Sequence, residues 1–137
     1  MDPKSVDEWM AVAKERLEDA RAVNQGVPNS VGAAYLAGYG VECGLKAYLD
    51  FQETAIPKGR DGHDLLNLMR MAGLQLSRAA PAQDQSWLIE NWSVDWRYRR
   101  MADPPITSSK KCVEAAGKLQ AYVSKLIARQ RSSRTRR

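Results

Sequence analysis

Histidine and cysteine, the side chains that most often bind metals or act as nucleophiles, are scarce in this sequence of 137 residues. It contains one histidine, His63, and two cysteines, Cys43 and Cys112, which lie far apart and form no CxxC pair. This spacing provides neither a set of zinc ligands nor a disulfide framework, and it favours two buried thiols in a reducing compartment. We therefore expect no metal and no cofactor.

The sequence also lacks a long hydrophobic run. Its first residues, MDPKSVDEW, have no apolar core of the kind found in a signal peptide. The apolar run at 31–41 is too short to span a bilayer, and the charged residues Glu42 and Lys46 follow it. These features predict a cytoplasmic protein that does not enter the membrane.

The net charge of +5 is unevenly distributed along the chain. Residues 125–137 contain six basic and no acidic side chains, which leaves 15 basic and 16 acidic side chains in the other 124 residues. We predict a near-neutral folded domain at 1–128 and a disordered basic tail at 129–137. A flexible arginine cluster can bind nucleic acid, although it can also serve only to keep the chain soluble.

Apolar residues recur at helical spacing along nearly the whole chain, and no stretch shows the alternation of a β-strand. In the first such segment Ser5 is a candidate N-cap, and Val6, Trp9, Ala13 and Leu17 lie on one face. Similar stripes follow, separated by proline, glycine and polar residues. The pattern predicts an all-α fold, an up-and-down antiparallel bundle of four to five helices.

The segment AYLAGYGVECGLKAYLDF, at 34–51, has an unusual composition for the most apolar helix of a protein. It carries Gly38, Gly40 and Gly44, and each interior glycine costs a helix roughly 1 kcal/mol relative to alanine. Apolar residues lie on several of its sides, which predicts a central helix. We expect its glycines to let neighbouring backbones approach closely.

Glu42 lies within this apolar helix, and a charge there requires a partner. Lys46 lies four residues later on the same face, a favourable arrangement for an ion pair. We also predict a partly buried link from Glu42 to Arg97 or Arg99.

Three segments, AYLAGYGVECGLKAYL at 34–49, GHDLLNL at 62–68 and WRYRR at 96–100, resemble in their order and spacing the HEPN family of small prokaryotic helical domains. The resemblance covers about residues 5–128. It implies a HEPN-like helical bundle that usually forms homodimers. Many members of that family pair with a minimal nucleotidyltransferase in two-component or toxin–antitoxin systems.

Other members of the family are ribonucleases, whose signature is an arginine, four to six intervening residues and then a histidine. This chain departs from that pattern, because Ile56, Pro57 and Lys58 occupy the three possible arginine positions before His63. Arg60 is too close to the histidine, and Lys58 lacks the planar guanidinium that binds phosphate with two parallel hydrogen bonds. The departure favours a protein that is not a nuclease.

We therefore predict a non-catalytic binding or regulatory subunit that works with a minimal nucleotidyltransferase or a nucleotide ligand. One alternative is a nucleic-acid-binding module that uses the basic tail and WRYRR. Another is a divergent HEPN ribonuclease toxin that uses His63 and nearby basic residues.

The candidate residues form two groups, and each has a structural alternative. His63 can instead pack at the start of a helix, and the aromatic and basic residues near WRYRR can instead form a dimer interface. The ligand or anion candidates are Glu42, Lys46, His63, Arg97, Tyr98 and Arg99. The nucleic-acid candidates are Arg100, Arg129, Arg131, Arg134, Arg136 and Arg137.

Overall fold

The computed structural model describes residues 2–75, 83–98 and 108–135, and this part of the chain is helical and has no strands. The prediction of an all-α bundle of four to five helices is confirmed. Two short 3-10 turns, at Gly59–His63 and Val94–Tyr98, join the helices. The helices are α1 (Val6–Gly26), α2 (Val31–Phe51), α3 (Leu65–Met71), α4 (Gln83–Asn91) and α5 (Ser109–Thr135).

Two serine caps start the helical hairpin of α1 and α2. The Ser5 hydroxyl accepts a hydrogen bond from the Glu8 amide at 3.1 Å, and the Ser30 hydroxyl accepts one from the Ala33 amide at 3.2 Å. These contacts satisfy amides that would otherwise lack partners in the first turn of each helix. Asn29, between the two helices, adopts a left-handed backbone with φ of 57°.

The long helix α5 runs antiparallel to α1. Near its start, the Ser109 hydroxyl donates a hydrogen bond to the Asn24 side chain, close to the end of α1. Near its end, the Arg131 guanidinium lies 3.1 Å from the Asp7 carboxylate, in the first turn of α1. None of the described helices is both long enough and apolar enough to cross a bilayer.

Helix α5 continues through residues 129–135, where we predicted a disordered tail. Packing explains the difference, because the Arg134 guanidinium lies 4.2 Å from the centre of the Phe51 ring and the Gln130 amide donates to the Tyr48 hydroxyl at 2.9 Å. Phe51 ends α2, whose last turn has no basic residue of its own. Arginines from α5 therefore provide the cations that a helix C-terminus favours.

Helix α2 is the centre of the core, as its composition predicted. From Val41 to Leu49 every residue is buried, and the helix packs against α1, α3 and α5. The predicted burial of both cysteines, which lie in α2 and α5, is confirmed. Burial raises the pKa of Cys43 to about 12 and that of Cys112 to about 11, so both remain thiols at neutral pH.

Of the three glycines in the middle of α2, two allow close packing. A Cβ atom at Gly38 would overlap the Trp92 ring, and one at Gly40 would lie 3.1 Å from the backbone oxygen of Ala13. At Gly44 a Cβ atom would meet no atom within 4 Å, beside a small void between α2 and α5. The predicted close approach of a neighbouring backbone is confirmed at position 40. At position 38 the close neighbour is a side chain, and at position 44 the prediction is wrong.

The surroundings of Gly44 and Gly38 predict that substitution by alanine has opposite effects on stability at the two positions. Gly44→Ala should stabilise the protein by about 1 kcal/mol, because alanine favours the helix and its methyl group has room. Gly38→Ala should destabilise it by about 1–3 kcal/mol, because Trp92 must move. Urea unfolding of both variants measures the two changes, and a loss of stability in Gly44→Ala would contradict the assignment of free space.

Candidate anion-binding cleft

Glu42 is the most buried charged residue of α2, with 3% of its side chain exposed. One of its carboxylate oxygens accepts a hydrogen bond from Lys46 Nζ at 3.0 Å, and the other lies 2.9 Å from His63 Nδ1. A carboxylate at this depth is tolerated only when such partners satisfy it. Three of the predicted site residues, Glu42, Lys46 and His63, are therefore in direct contact.

The predicted link between Glu42 and Arg97 is wrong. Among the described residues, the ion-pair partners of Glu42 are Lys46 and His63. The Arg97 guanidinium instead lies 4.6 Å from the centre of the Tyr98 ring, and it is close enough to the Tyr35 hydroxyl to influence its pKa. Burial raises the pKa of Tyr35, and the contact with Arg97 opposes that shift.

The position of Tyr35 along α2 explains why Arg97 lies away from Lys46. Tyr35 precedes Lys46 by eleven residues, which corresponds to about 16 Å along a helix. Arg97 and Tyr98 therefore lie beside the first half of α2, away from Lys46. Arg97 and Tyr98 are both exposed, Tyr98 to 77%. Arg99 and Arg100 lie outside the described residues.

A glycine in the first 3-10 turn allows His63 to reach Glu42. A Cβ atom at Gly62 would lie 2.5 Å from the Pro57 backbone oxygen and 3.7 Å from Lys46 Nζ. The turn can therefore pass this close to the preceding loop and to α2 only with glycine at position 62. The capping role at the start of α3 belongs to Asp64, whose carboxylate accepts from the Asn67 amide at 3.2 Å.

The hydrogen bond to Glu42 determines which nitrogen of His63 is available for chemistry. An ionised carboxylate can only accept, so Nδ1 carries the shared proton and Nε2 is the nitrogen left for a ligand. The His63 side chain is 39% exposed. It can accept a proton at Nε2, or donate one from that atom when the ring is protonated.

Lys46 and His63 line one cleft of about 380 Å³ at the end of the bundle where α1 begins and α2 ends. This volume is within the range of about 300–1,000 Å³ that is usual for small-molecule sites. Lys46 Nζ also lies 5.5 Å from the centre of the Trp9 ring, a cation–π contact. The lining residues are Asp2, Pro3, Trp9, Lys46, Ile56, Pro57, Lys58, Gly59, Gly62 and His63.

Several of these residues were not among the sequence candidates. Asp2 precedes the first helix and gave no signal, and Trp9 belonged to the apolar stripe of α1 and so indicated only a core position. Lys58 stands out in the sequence only through its spacing from His63. No pattern in the sequence indicated that the two ends of the first hairpin would meet the loop at 56–63.

The predicted nucleic-acid residues have mixed surroundings. Arg131 and Arg134 contact Asp7 and Phe51 within the chain. Arg129 is exposed, whereas Arg136 and Arg137 lie outside the described residues. Binding of nucleic acid by this segment stays a prediction, and a ligand there would compete with the existing contacts of Arg131 and Arg134.

No protein-family model and no curated protein sequence matches this chain. Among solved structures, the crystal structure of an archaeal HEPN homologue is similar to it, with a TM-score of 0.62 and 22% sequence identity. The match covers 91% of this chain and 99% of the archaeal one. At this identity the similarity shows the fold, so the chain has a HEPN-like helical bundle, as the resemblance in the sequence implied.

The stability of the protein should fall when one member of the buried pair of Glu42 and Lys46 is replaced, and fall much less when both are replaced. Glu42→Leu alone should destabilise the protein by about 3–5 kcal/mol, because it leaves the Lys46 charge buried without its partner. Glu42→Leu combined with Lys46→Met should recover most of that loss. Urea unfolding measures both effects. Asp19→Ala, which breaks an exposed contact with Arg16, is the control and should cost less than about 1 kcal/mol.

Proposed function

We propose that this chain is a non-catalytic HEPN-like binding subunit that holds a nucleotide by its phosphate in the cleft of Lys46 and His63. The observation that carries the proposal is the arrangement around Glu42, in which one buried carboxylate fixes both side chains at the cleft. Neither residue has to be ordered when a ligand arrives, so less conformational entropy is lost on binding.

The donors of the cleft suit a phosphate group. Lys46 has three N–H donors, of which one points to Glu42, and its side chain is 10% exposed. His63 offers Nε2, and exposed Lys58 lines the same space. An ammonium group, an imidazole and a second ammonium group around one space form a usual environment for a phosphate.

We further propose that a minimal nucleotidyltransferase is the partner of this subunit. The support is the HEPN-like fold together with a cleft of the size and chemistry that a nucleotide requires. In such a pair this chain would bind the nucleotide while the partner carries out the transfer. This division of roles agrees with the missing arginine before His63.

Calorimetry that measures the binding of adenosine monophosphate to the purified chain tests the proposal. His63→Asn should weaken binding at least about tenfold, because asparagine can still donate to Glu42 but removes Nε2. Glu42→Gln with Lys46→Met should weaken it similarly, because the Lys46 ammonium is lost without leaving an unpaired carboxylate. Lys125→Met, on the exposed surface of α5, is the charge control and should leave binding unchanged. Equal binding by all four proteins would refute the proposed site.

One observation favours ribonuclease activity as a second candidate function. The 2.9 Å contact between Glu42 and His63 is the arrangement in which a carboxylate orients a histidine for acid–base chemistry. The same proteins distinguish the two functions. Cleavage of RNA by the native chain and by Lys125→Met, but not by His63→Asn, would favour the nuclease.

We propose a homodimer that forms through the groove between α1 and α5. This groove, of about 280 Å³, is lined by apolar residues such as Leu17 and Ala121 and by charged residues such as Glu18 and Arg21. Helix α1 has five acidic and three basic side chains, a net charge of −2, whereas α5 has seven basic and one acidic, a net charge of +6. A two-fold arrangement that sets α1 of each copy against α5 of the other would bring opposite charges together.

Sedimentation velocity over a range of concentrations tests the dimer. Ala121→Arg should shift the protein to the monomer, because it places a bulky cation in the groove. Met71→Arg adds the same charge on the exposed surface of α3 and should leave the dimer intact. A native protein that remains monomeric at high concentration, or a dimer unaffected by Ala121→Arg, would contradict this surface.

A further inference from the structure

We infer that the cleft selects ligands with a single phosphate group over di- and triphosphates, and that Asp2 enforces this selection. The inference rests on the proposed nucleotide site and specifies its ligand class. It follows from the charges that line the cleft.

The charged groups of the cleft nearly cancel. Lys46 is paired with Glu42 at 3.0 Å, and His63 shares the same carboxylate. Of the other lining residues, Lys58 contributes one positive charge and Asp2 one negative charge. Two acidic and two basic side chains sum to zero with His63 neutral, and to +1 when it is protonated.

This sum matches one phosphate group better than several. A phosphate monoester carries about −1.5 to −2 charges at pH 7 and can be met by Lys46, Lys58 and a protonated His63. Every further phosphate adds at least one negative charge, and no additional cation lines the cleft among the described residues. Binding it there would remove an anion from water without a compensating partner. Arg60, on the same turn, does not line the cleft, and Asp61 follows it directly.

Asp2 lines the cleft, where its charge opposes a second phosphate. It lies just before α1, where the Lys4 amide donates to Glu8 and Ser5 caps the helix, and Pro3 restricts the backbone between them. It is exposed and adds one negative charge to the lining of the cleft. Repulsion between this charge and an outer phosphate corresponds to about a three- to tenfold loss of affinity at low salt.

The single phosphate could belong to a free mononucleotide or to the end of a nucleic-acid strand, because both present the same group. One experiment that compares different ligands distinguishes these two sources of the phosphate. Adenosine monophosphate represents the free ligand, and a tetranucleotide with a 5′-phosphate represents the strand end. The same tetranucleotide without that phosphate is its control.

Calorimetry at low salt with EDTA, which prevents charge neutralisation by divalent cations, compares adenosine mono- and triphosphate. The native protein should bind the monophosphate more tightly. Asp2→Asn should raise the affinity for the triphosphate about three- to tenfold and that for the monophosphate less. Glu114→Gln changes the net charge equally on α5, outside the cleft, and should alter neither.

Tighter binding of the triphosphate by the native protein overturns the selectivity. Equal gains for both nucleotides in Asp2→Asn, or the same gain in Glu114→Gln, overturn the role of Asp2. Binding of neither nucleotide would overturn the proposed function as well as the selectivity. Monophosphate binding that depends on Lys46 and His63, together with stronger triphosphate binding, would overturn the selectivity alone.

Competition against bound adenosine monophosphate identifies the source of the phosphate. Displacement by the phosphorylated tetranucleotide, but not by the unphosphorylated one, supports the single-phosphate site and assigns it to a strand end. Displacement by neither supports a site for the free mononucleotide. Equal displacement by both overturns recognition of a terminal phosphate group.

Discussion

The carboxylate of Glu42 is the constraint on which the functional end of this bundle depends. It lies inside the most apolar helix, where an ionised group must be neutralised and hydrogen-bonded. Lys46 satisfies one oxygen from the same helix, whereas within the part of the chain that the structure describes the other oxygen is met by His63, from a separate turn. The need to satisfy one buried charge therefore joins α2 to the loop before α3 and fixes two side chains at the cleft.

Close packing elsewhere in the molecule supports this arrangement. Gly38 and Gly40 let Trp92 and α1 approach α2, which keeps water from the centre of the helix. Gly62 has the same effect at the cleft, where the turn passes close to the Pro57 oxygen. A glycine lowers helix propensity wherever it occurs in a helix, but only the neighbouring atoms decide whether that loss is recovered. Gly44 lies next to free space, so close packing does not compensate for its low helix propensity.

The C-terminal arginines show how one sequence feature can have two roles. In the sequence, this run of basic residues without acidic ones predicts a flexible tail that can bind a polyanion. In the fold, α5 extends across the ends of α1 and α2, and Arg131 and Arg134 contact Asp7 and Phe51. These contacts hold the end of α5 beside the start of α1, near which the cleft residues Asp2 and Trp9 lie. Any ligand of these arginines would therefore act on the same end of the molecule.

The sequence by itself determined the class of fold, because apolar periodicity and caps such as Ser5 are local properties that each helix carries alone. It also singled out Glu42, Lys46 and His63, since a charge in an apolar helix and a lone histidine are visible without coordinates. Only the tertiary structure decided that His63, rather than Arg97, meets Glu42, and that Asp2, Trp9 and Lys58 surround the same space. Those contacts join residues far apart in the chain, and their geometry depends on helix lengths and crossings that local patterns do not specify.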